Sequence, residues 1–196
     1  MIETIYHLAD IHITEQIERH TEYKEVFKNV FKQIDEDETE KMIVICGDFF
    51  DKKIVGSETL EIGKDFLNAL SKRGEVIIFA GNHDQNIKNM DKKTFIEPII
   101  THTHFEKRIH YLKTDGIYRI NNINFGLTSI ASKKVYKIID KKLDELYIGL
   151  YHGQLYKSKS FNEYEFNEPT LFTIQDFKDY DIVMLGDIHK FQYLHL

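Results

Sequence analysis

The sequence is poor in cysteine, in long apolar runs and in surplus positive charge, and each lack removes a class of protein. A single cysteine, Cys46, cannot close an internal disulfide, which fits a reducing compartment and leaves the fold to its core. Its neighbours in MIVICG read as a buried strand, so the thiol is expected to be inert. No stretch of 18 or more uncharged apolar residues is present, and the opening MIETIYHLADIH has neither a basic leader nor a small-residue cleavage site. These features predict a soluble, intracellular protein of cytoplasm or nucleus, neither secreted nor partnered with membrane. The formal net charge of -6 argues against holding nucleic acid by bulk positive charge. Lysines do gather at Lys52-Lys53, Lys92-Lys93, Lys133-Lys134 and Lys141-Lys142, but acids are interleaved with most of them, and each reads as a solvated helix face.

What is present is enough for one domain over residues 1–196 with a proper core, since 42% of the residues are hydrophobic. Short, branched-rich apolar runs at 4–8, 42–46, 76–80, 147–151 and 182–185 are bounded by Gly, Asp or His, as buried strands are. Helical periodicity lies between them. Val26, Phe27, Val30, Phe31 and Ile34 form one stripe, and Leu60 to Leu70 repeats the pattern with Gly74 as a stop. A third helix is expected over KKVYKIIDKKLDEL, with Val135, Ile138, Ile139 and Leu143 inward. GIYRINNINFGLTSI reads as a hairpin turning at Asn121-Asn122. Strand alternating with helix implies an α/β layered fold, in which ligands collect at the carboxyl ends of strands. There is no internal repeat or low-complexity segment. The one long irregular stretch, 153–169, has the length of a functional or mobile loop.

Each predicted strand ends in groups that a core would not tolerate. In order they are Asp10 and His12; Gly47, Asp48 and Asp51; Gly81, Asn82, His83 and Asp84; His152 and Gly153; Gly186, Asp187 and His189. Singly, each has an ordinary explanation: a hydrogen-bonded His, a turn Asp, a helix cap. Their recurrence at every strand end is harder to dismiss, because burying so many acids and imidazoles together without a cation is costly. The donors are carboxylates, imidazoles and one amide oxygen, with no thiolate. Such a set suits Mn²⁺, Fe²⁺ or Zn²⁺ and argues against a thiolate zinc site. Asp10, His12, Asp48, Asn82, His152, Asp187 and His189 are too many for one ion, and a two-metal centre, with ions roughly 3.5–4 Å apart and Asp48 bridging, is the natural reading.

In this order the motifs resemble the calcineurin-like metallophosphoesterase superfamily, whose pattern runs D-x-H, G-D-x-x-D, G-N-H-D/E, a lone H, then G-H-x-H. The resemblance implies an α/β layered fold, a β-sandwich flanked by helices. It implies that Asp10, His12, Asp48 and His189 hold one metal, and Asp48, Asn82 and His152 the other. His83 is then the non-ligand that protonates the leaving oxygen, with Asp84 orienting it. Asp187 stands where the family has His; its oxygen can coordinate and favours a harder ion such as Mn²⁺, or it turns away and caps the loop. Within the superfamily, HLADIHI, GDFFD, YHGQ and LGDIHKFQ are most similar to the Mre11/SbcD branch of DNA repair nucleases. That branch implies DNA as substrate, an ATPase partner of the Rad50/SbcC type and a homodimer. It also implies further strands and a cap after the last motif, for which this sequence has no room, so a truncated or minimal member is expected.

The activity so implied is metal-dependent phosphodiester hydrolysis by a DNA exo- or endonuclease of repair or recombination. Two alternatives accompany it: a phosphoesterase acting on nucleotides or small phosphoesters, and an inactive fragment or scaffold. Tyr and Phe residues of the 153–169 loop could stack on bases, though packing onto the domain is the plainer expectation. His102 and His104 in THTH read as surface, and His195 as disordered.

Overall fold

A computed structural model describes residues 1–86, 89, 93–160, 162–190 and 192. Lys92, Phe161 and His195 lie outside the described residues. The chain divides into two compact units, Met1–Leu112 and Lys113–Leu196. No helix among the described residues is long and apolar enough to cross a membrane.

The first unit is built on strands β1 (Thr4–Leu8), β2 (Lys41–Cys46), β3 (Glu75–Phe79) and β4 (Ile109–Leu112), all parallel and in that order. Helices α1 (Ile17–Asp35), α2 (Ser57–Ser71) and α3 (Ile96–His102) form the connections, as parallel strands require. The run of buried residues in β2 and β3 is continuous rather than alternating, the mark of strands covered on both faces. Phe27 and Ile34 of α1 and Phe66, Leu67 and Leu70 of α2 meet Ile43, Ile45, Val76 and Ile78 in one core. Phe27 stacks on Phe66 with centroids 3.9 Å apart. Val26, expected in the stripe, is 56% exposed; at 100° from Phe27 around the helix, it sits on the shoulder of the buried face. Cys46 is buried, as its neighbours indicated, and burial pushes its thiol pKa up.

The second unit holds strands β5 (Gly116–Ile120), β6 (Ile123–Thr128), β7 (Tyr147–His152) and β8 (Ile182–Gly186). β5 and β6 form the expected hairpin, with Asn121 and Asn122 at φ 49° and 67° as a tight two-residue turn requires. The pairs β6 to β7 and β7 to β8 are parallel. The α/β class is therefore as the sequence indicated, with one four-stranded sheet in each unit.

The third helix expected over 133–146 is absent. Tyr136 explains why: its N–H donates to Thr128 Oγ1 (2.9 Å) and its carbonyl accepts from the Tyr180 hydroxyl (2.7 Å). A helix would need both groups for its own i to i−4 ladder. Val135 alone of the four residues expected inward is buried, while Ile139 and Leu143 are exposed. The lysines of this stretch consequently lie on no helix face; Lys141 pairs with Asp181 and Lys142 with Glu145.

Tyr180 reaches Tyr136 because two glycines make room for it. Gly126 and Gly149 are register partners on β6 and β7, and a Cβ on either would press on the Tyr180 ring, most severely at Gly126. Gly126→Ala is expected to lower stability by about 1–3 kcal/mol through overpacking, read as a reduced urea midpoint. Glu145 supports a second test. Hydrogen bonds from Lys142, Asn124 and Arg119 hold its carboxyl down to about 2 from an ordinary 4.5. The folded value is the lower one, so this stabilisation is complete above about pH 4.5 and is lost as pH falls toward 2. Stability measured across that window should depend less on pH in Glu145→Gln than in the unaltered protein.

Candidate metal centre

Parallel strands deliver their carboxyl ends to one edge, and in the first unit three of the five motifs meet there. The loop after β1 carries Asp10 and His12, that after β2 Asp48 and Asp51, and that after β3 Asn82, His83 and Asp84. The first two loops are joined backbone to backbone. Asp10 N–H donates to Gly47 O (3.2 Å), His12 N–H to Asp48 O (3.0 Å) and Asp51 N–H to Ile13 O (3.1 Å). Reaching these bonds takes sharp turns: Asp10, His12 and Asp48 sit at φ 53°, 48° and 48°, a region that costs an L-residue about 1–2 kcal/mol. Packing offsets the cost. Phe49 and Phe50, buried beside Asp48, lie so close to α2 that a side chain at Gly63 would collide with both rings.

Asp84 fastens the third loop. Its carboxylate accepts the N–H groups of Phe50 (2.9 Å), Phe49 (3.0 Å) and Gly81 (3.0 Å). Burial pushes its pKa up to about 6, against the pull of those three donors. The structure thus gives His83 a different partner from the expected Asp84: His83 Nδ1 lies 2.7 Å from the Asp51 carbonyl. A carbonyl only accepts, so Nδ1 carries hydrogen and Nε2 faces the cluster.

Asp48, 1% exposed, accepts the His83 backbone N–H at 2.8 Å through Oδ1. Its Oδ2 lies 3.7 Å from His12 Nε2 and 4.0 Å from His83 Nε2. These gaps exceed a hydrogen bond, yet all three ligand atoms lie within 4.8 Å of one another. Nitrogen and oxygen donors bound at about 2.0–2.2 Å to a shared cation stand roughly 3–4.4 Å apart, a span that takes in the 3.7 and 4.0 Å gaps. The residues therefore fit a divalent ion, and they include His83, read from sequence as a non-ligand.

In the second unit, His152 ends β7, 2% exposed, and Asp187 follows β8 at φ 70°. The Gly153 N–H donates to Gly186 O (3.2 Å), bringing the ends of β7 and β8 together. Burial, with the Asp187 charge second, pushes the Tyr151 hydroxyl up to about 12. Asp187 and the exposed His189 line a cavity of about 120 Å³ with Ser158, Lys159 and Ser160. Most of the 153–169 loop is irregular, with Leu155 and Ser158 buried and Tyr164 57% exposed. His102 and His104 are exposed, as read.

One strand-end group had been given no role, and one contributor was missed. Asp51, which closes G-D-x-x-D, supplies the carbonyl that orients His83 and a carboxylate 3.8 Å from His12. Tyr23 of α1 donates to His12 O at 2.6 Å, and nothing in the helical pattern marks it out. Removing Asp84 should strand three buried donors at about 1–3 kcal/mol each. Asp84→Ala is accordingly expected to lose at least about 3 kcal/mol in urea unfolding, whereas His83→Ala, at an exposed imidazole, loses less than about 1 kcal/mol.

The sequence matches the calcineurin-like phosphoesterase family over residues 3–191. It is also 37% identical, over 206 aligned positions, to an uncharacterized protein of Acanthamoeba polyphaga mimivirus. That alignment takes in 99% of this chain, which spans 15% of the relative's length. The family match runs through both units and includes all five motifs, from Asp10 to His189: the chain belongs to the calcineurin-like phosphoesterase family.

Proposed function

We propose that this protein hydrolyses phosphodiester bonds in DNA, as a repair or recombination nuclease of the Mre11/SbcD type with two divalent ions, Mn²⁺ favoured. The observation that carries the metal-dependent part is Asp48, 1% exposed, whose Oδ2 faces His12 Nε2 across 3.7 Å, a gap too long for a hydrogen bond. The DNA part rests on the residues around the motifs, HLADIHI, GDFFD, YHGQ and LGDIHKFQ. Asp10, His12, Asp48 and Asn82, with His152, Asp187 and His189, are the proposed ligands. Ions held there would offset charge developing on the phosphate oxygens and activate the attacking water. His83, with Nδ1 fixed on the Asp51 carbonyl, presents Nε2 to protonate the departing oxygen from its imidazolium form. Asp84 keeps the loops in register without touching substrate. An ATPase of the Rad50/SbcC type and a second copy of the chain are proposed partners on the same resemblance.

A second reading, hydrolysis of nucleotides or small phosphoesters, is favoured by the small cavity beside Asp187 and His189, whose 120 Å³ suits one phosphate group better than a strand. Labelled DNA and a chromogenic diester, each incubated with the protein and Mn²⁺, separate the two. DNA cleavage that chelation abolishes is expected. His83→Ala should slow it roughly a hundred- to ten-thousandfold while calorimetry still records Mn²⁺ binding. Loss of the metal itself in that variant would make His83 a ligand rather than an acid. Turnover of the diester alone would support the second reading, and failure of both substrates despite bound metal would leave a scaffold.

A further inference from the structure

Residues 113–196 carry eleven lysines and arginines against eleven acidic residues, so the whole formal charge of -6 belongs to residues 1–112. Within this neutral unit most cations are already engaged. Arg119, Lys141, Lys142, Lys159 and Lys190 sit in ion pairs, and Lys157 lies over the Tyr156 ring. Lys133, Lys134 and Lys137 are exposed and have no ion pair among the described residues.

All three line one cavity of about 920 Å³, shared with Pro169, Leu171 and Phe172. Its one acidic lining residue, Asp176, is turned to local work, accepting the Thr173 N–H and hydroxyl at 2.7 Å each. The lysines are held there by the bonds that abolish the expected helix, from Thr128 and Tyr180 to the backbone of Tyr136. Thr128 is the last residue of β6. Phe172, on the cavity's other segment, is bridged to Leu155 and accepts the Tyr156 N–H at 2.8 Å, just beyond the end of β7. Since β6 and β7 are parallel, both ties lie at the edge where β7 ends in His152.

We propose, resting on the phosphodiester reading above, that this cavity binds a single strand of nucleic acid and leads it along the edge that carries His152. The three lysines take its phosphates, and Pro169 and Leu171 meet its bases. Charge selects a polyanion, and shape selects one strand. A volume of 920 Å³ equals a sphere about 12 Å across, no wider than the major groove of a duplex alone.

The test is equilibrium binding of a labelled oligothymidylate to the 196-residue chain in EDTA, followed by anisotropy across a salt series. Three phosphate contacts on a single strand contribute about 2 to the slope of log K against log salt. Lys133→Gln/Lys134→Gln/Lys137→Gln should therefore flatten the slope by about 2 and weaken binding about a hundredfold at 0.1 M salt, with little change on extrapolation to 1 M. Matched circular dichroism shows that the variant is folded. Lys24→Gln/Lys64→Gln/Lys72→Gln, on and beside α1 and α2, removes the same charge elsewhere and should leave the slope unchanged. An unaltered slope in the cavity variant, an equal loss in the control, a duplex bound as tightly as the single strand, or no binding by the unaltered protein would each overturn the proposal. Without metal, cleavage plays no part. Binding through the lysines with no cleavage in Mn²⁺ would refute the catalytic reading and spare the cavity, and the reverse result would do the opposite.

Discussion

Three backbone N–H groups converge on the two oxygens of Asp84, and the edge of the first unit that carries the candidate metal ligands depends on that convergence. Phe49 and Phe50 directly follow Asp48, and Gly81 directly precedes Asn82 and His83, so one carboxylate fixes the loops after β2 and β3 against each other. Asp48 closes the arrangement by accepting the His83 N–H. A carboxylate buried this deeply is disfavoured by desolvation, which is why its pKa rises to about 6. The three donors keep that burial tolerable. Within four consecutive residues, then, the sequence places a turn amide, an imidazole held by the Asp51 carbonyl and an acid that ties the loops, and only their hydrogen-bond partners tell the two ionisable groups apart.

Left-handed backbone at Asp10, His12 and Asp48 is the geometric counterpart of this arrangement. Each turn reverses the chain just after a strand of the first sheet, so that polar side chains emerge at the edge while the next residues return to the core. Ile13, Phe49 and Phe50, all essentially buried, provide that return. Their burial, at about 25 cal/mol per Å², is of the size needed to offset turns that cost about 1–2 kcal/mol apiece. Strain at the edge and packing beneath it form one structure.

Much of this could be read in the sequence because buried parallel strands leave a strong pattern: a run of Ile and Val, then an abrupt Gly, Asp or His. The five runs and the Asn121-Asn122 hairpin all correspond to elements of the fold. What escaped was structure whose cause is non-local. The apolar spacing of 133–146 is helical, but Thr128 and Tyr180, from outside the segment, take the backbone groups of Tyr136. β4, four residues long, and the short α3 are too brief to carry a period. At the site, side-chain identity was legible and partnership was not. Asp84 is adjacent to His83 in sequence, yet the orienting acceptor is the carbonyl of Asp51, 32 residues away. Nor does periodicity divide the five strand ends, three to the first sheet and two to the second.

The slot made by Gly126 and Gly149 gives the lysine-bearing segment an unusual kind of freedom. Its course is written by Thr128, Tyr180 and two glycines, none of which belongs to it. Of its apolar residues Val135 is buried in the core and Ile138 packs partly against it, while Ile139 and Leu143 face solvent. Positions 133, 134 and 137 can therefore change charge without changing path. Evolution could retune the charge this surface presents, or cancel it altogether, while the fold beneath it stays constant.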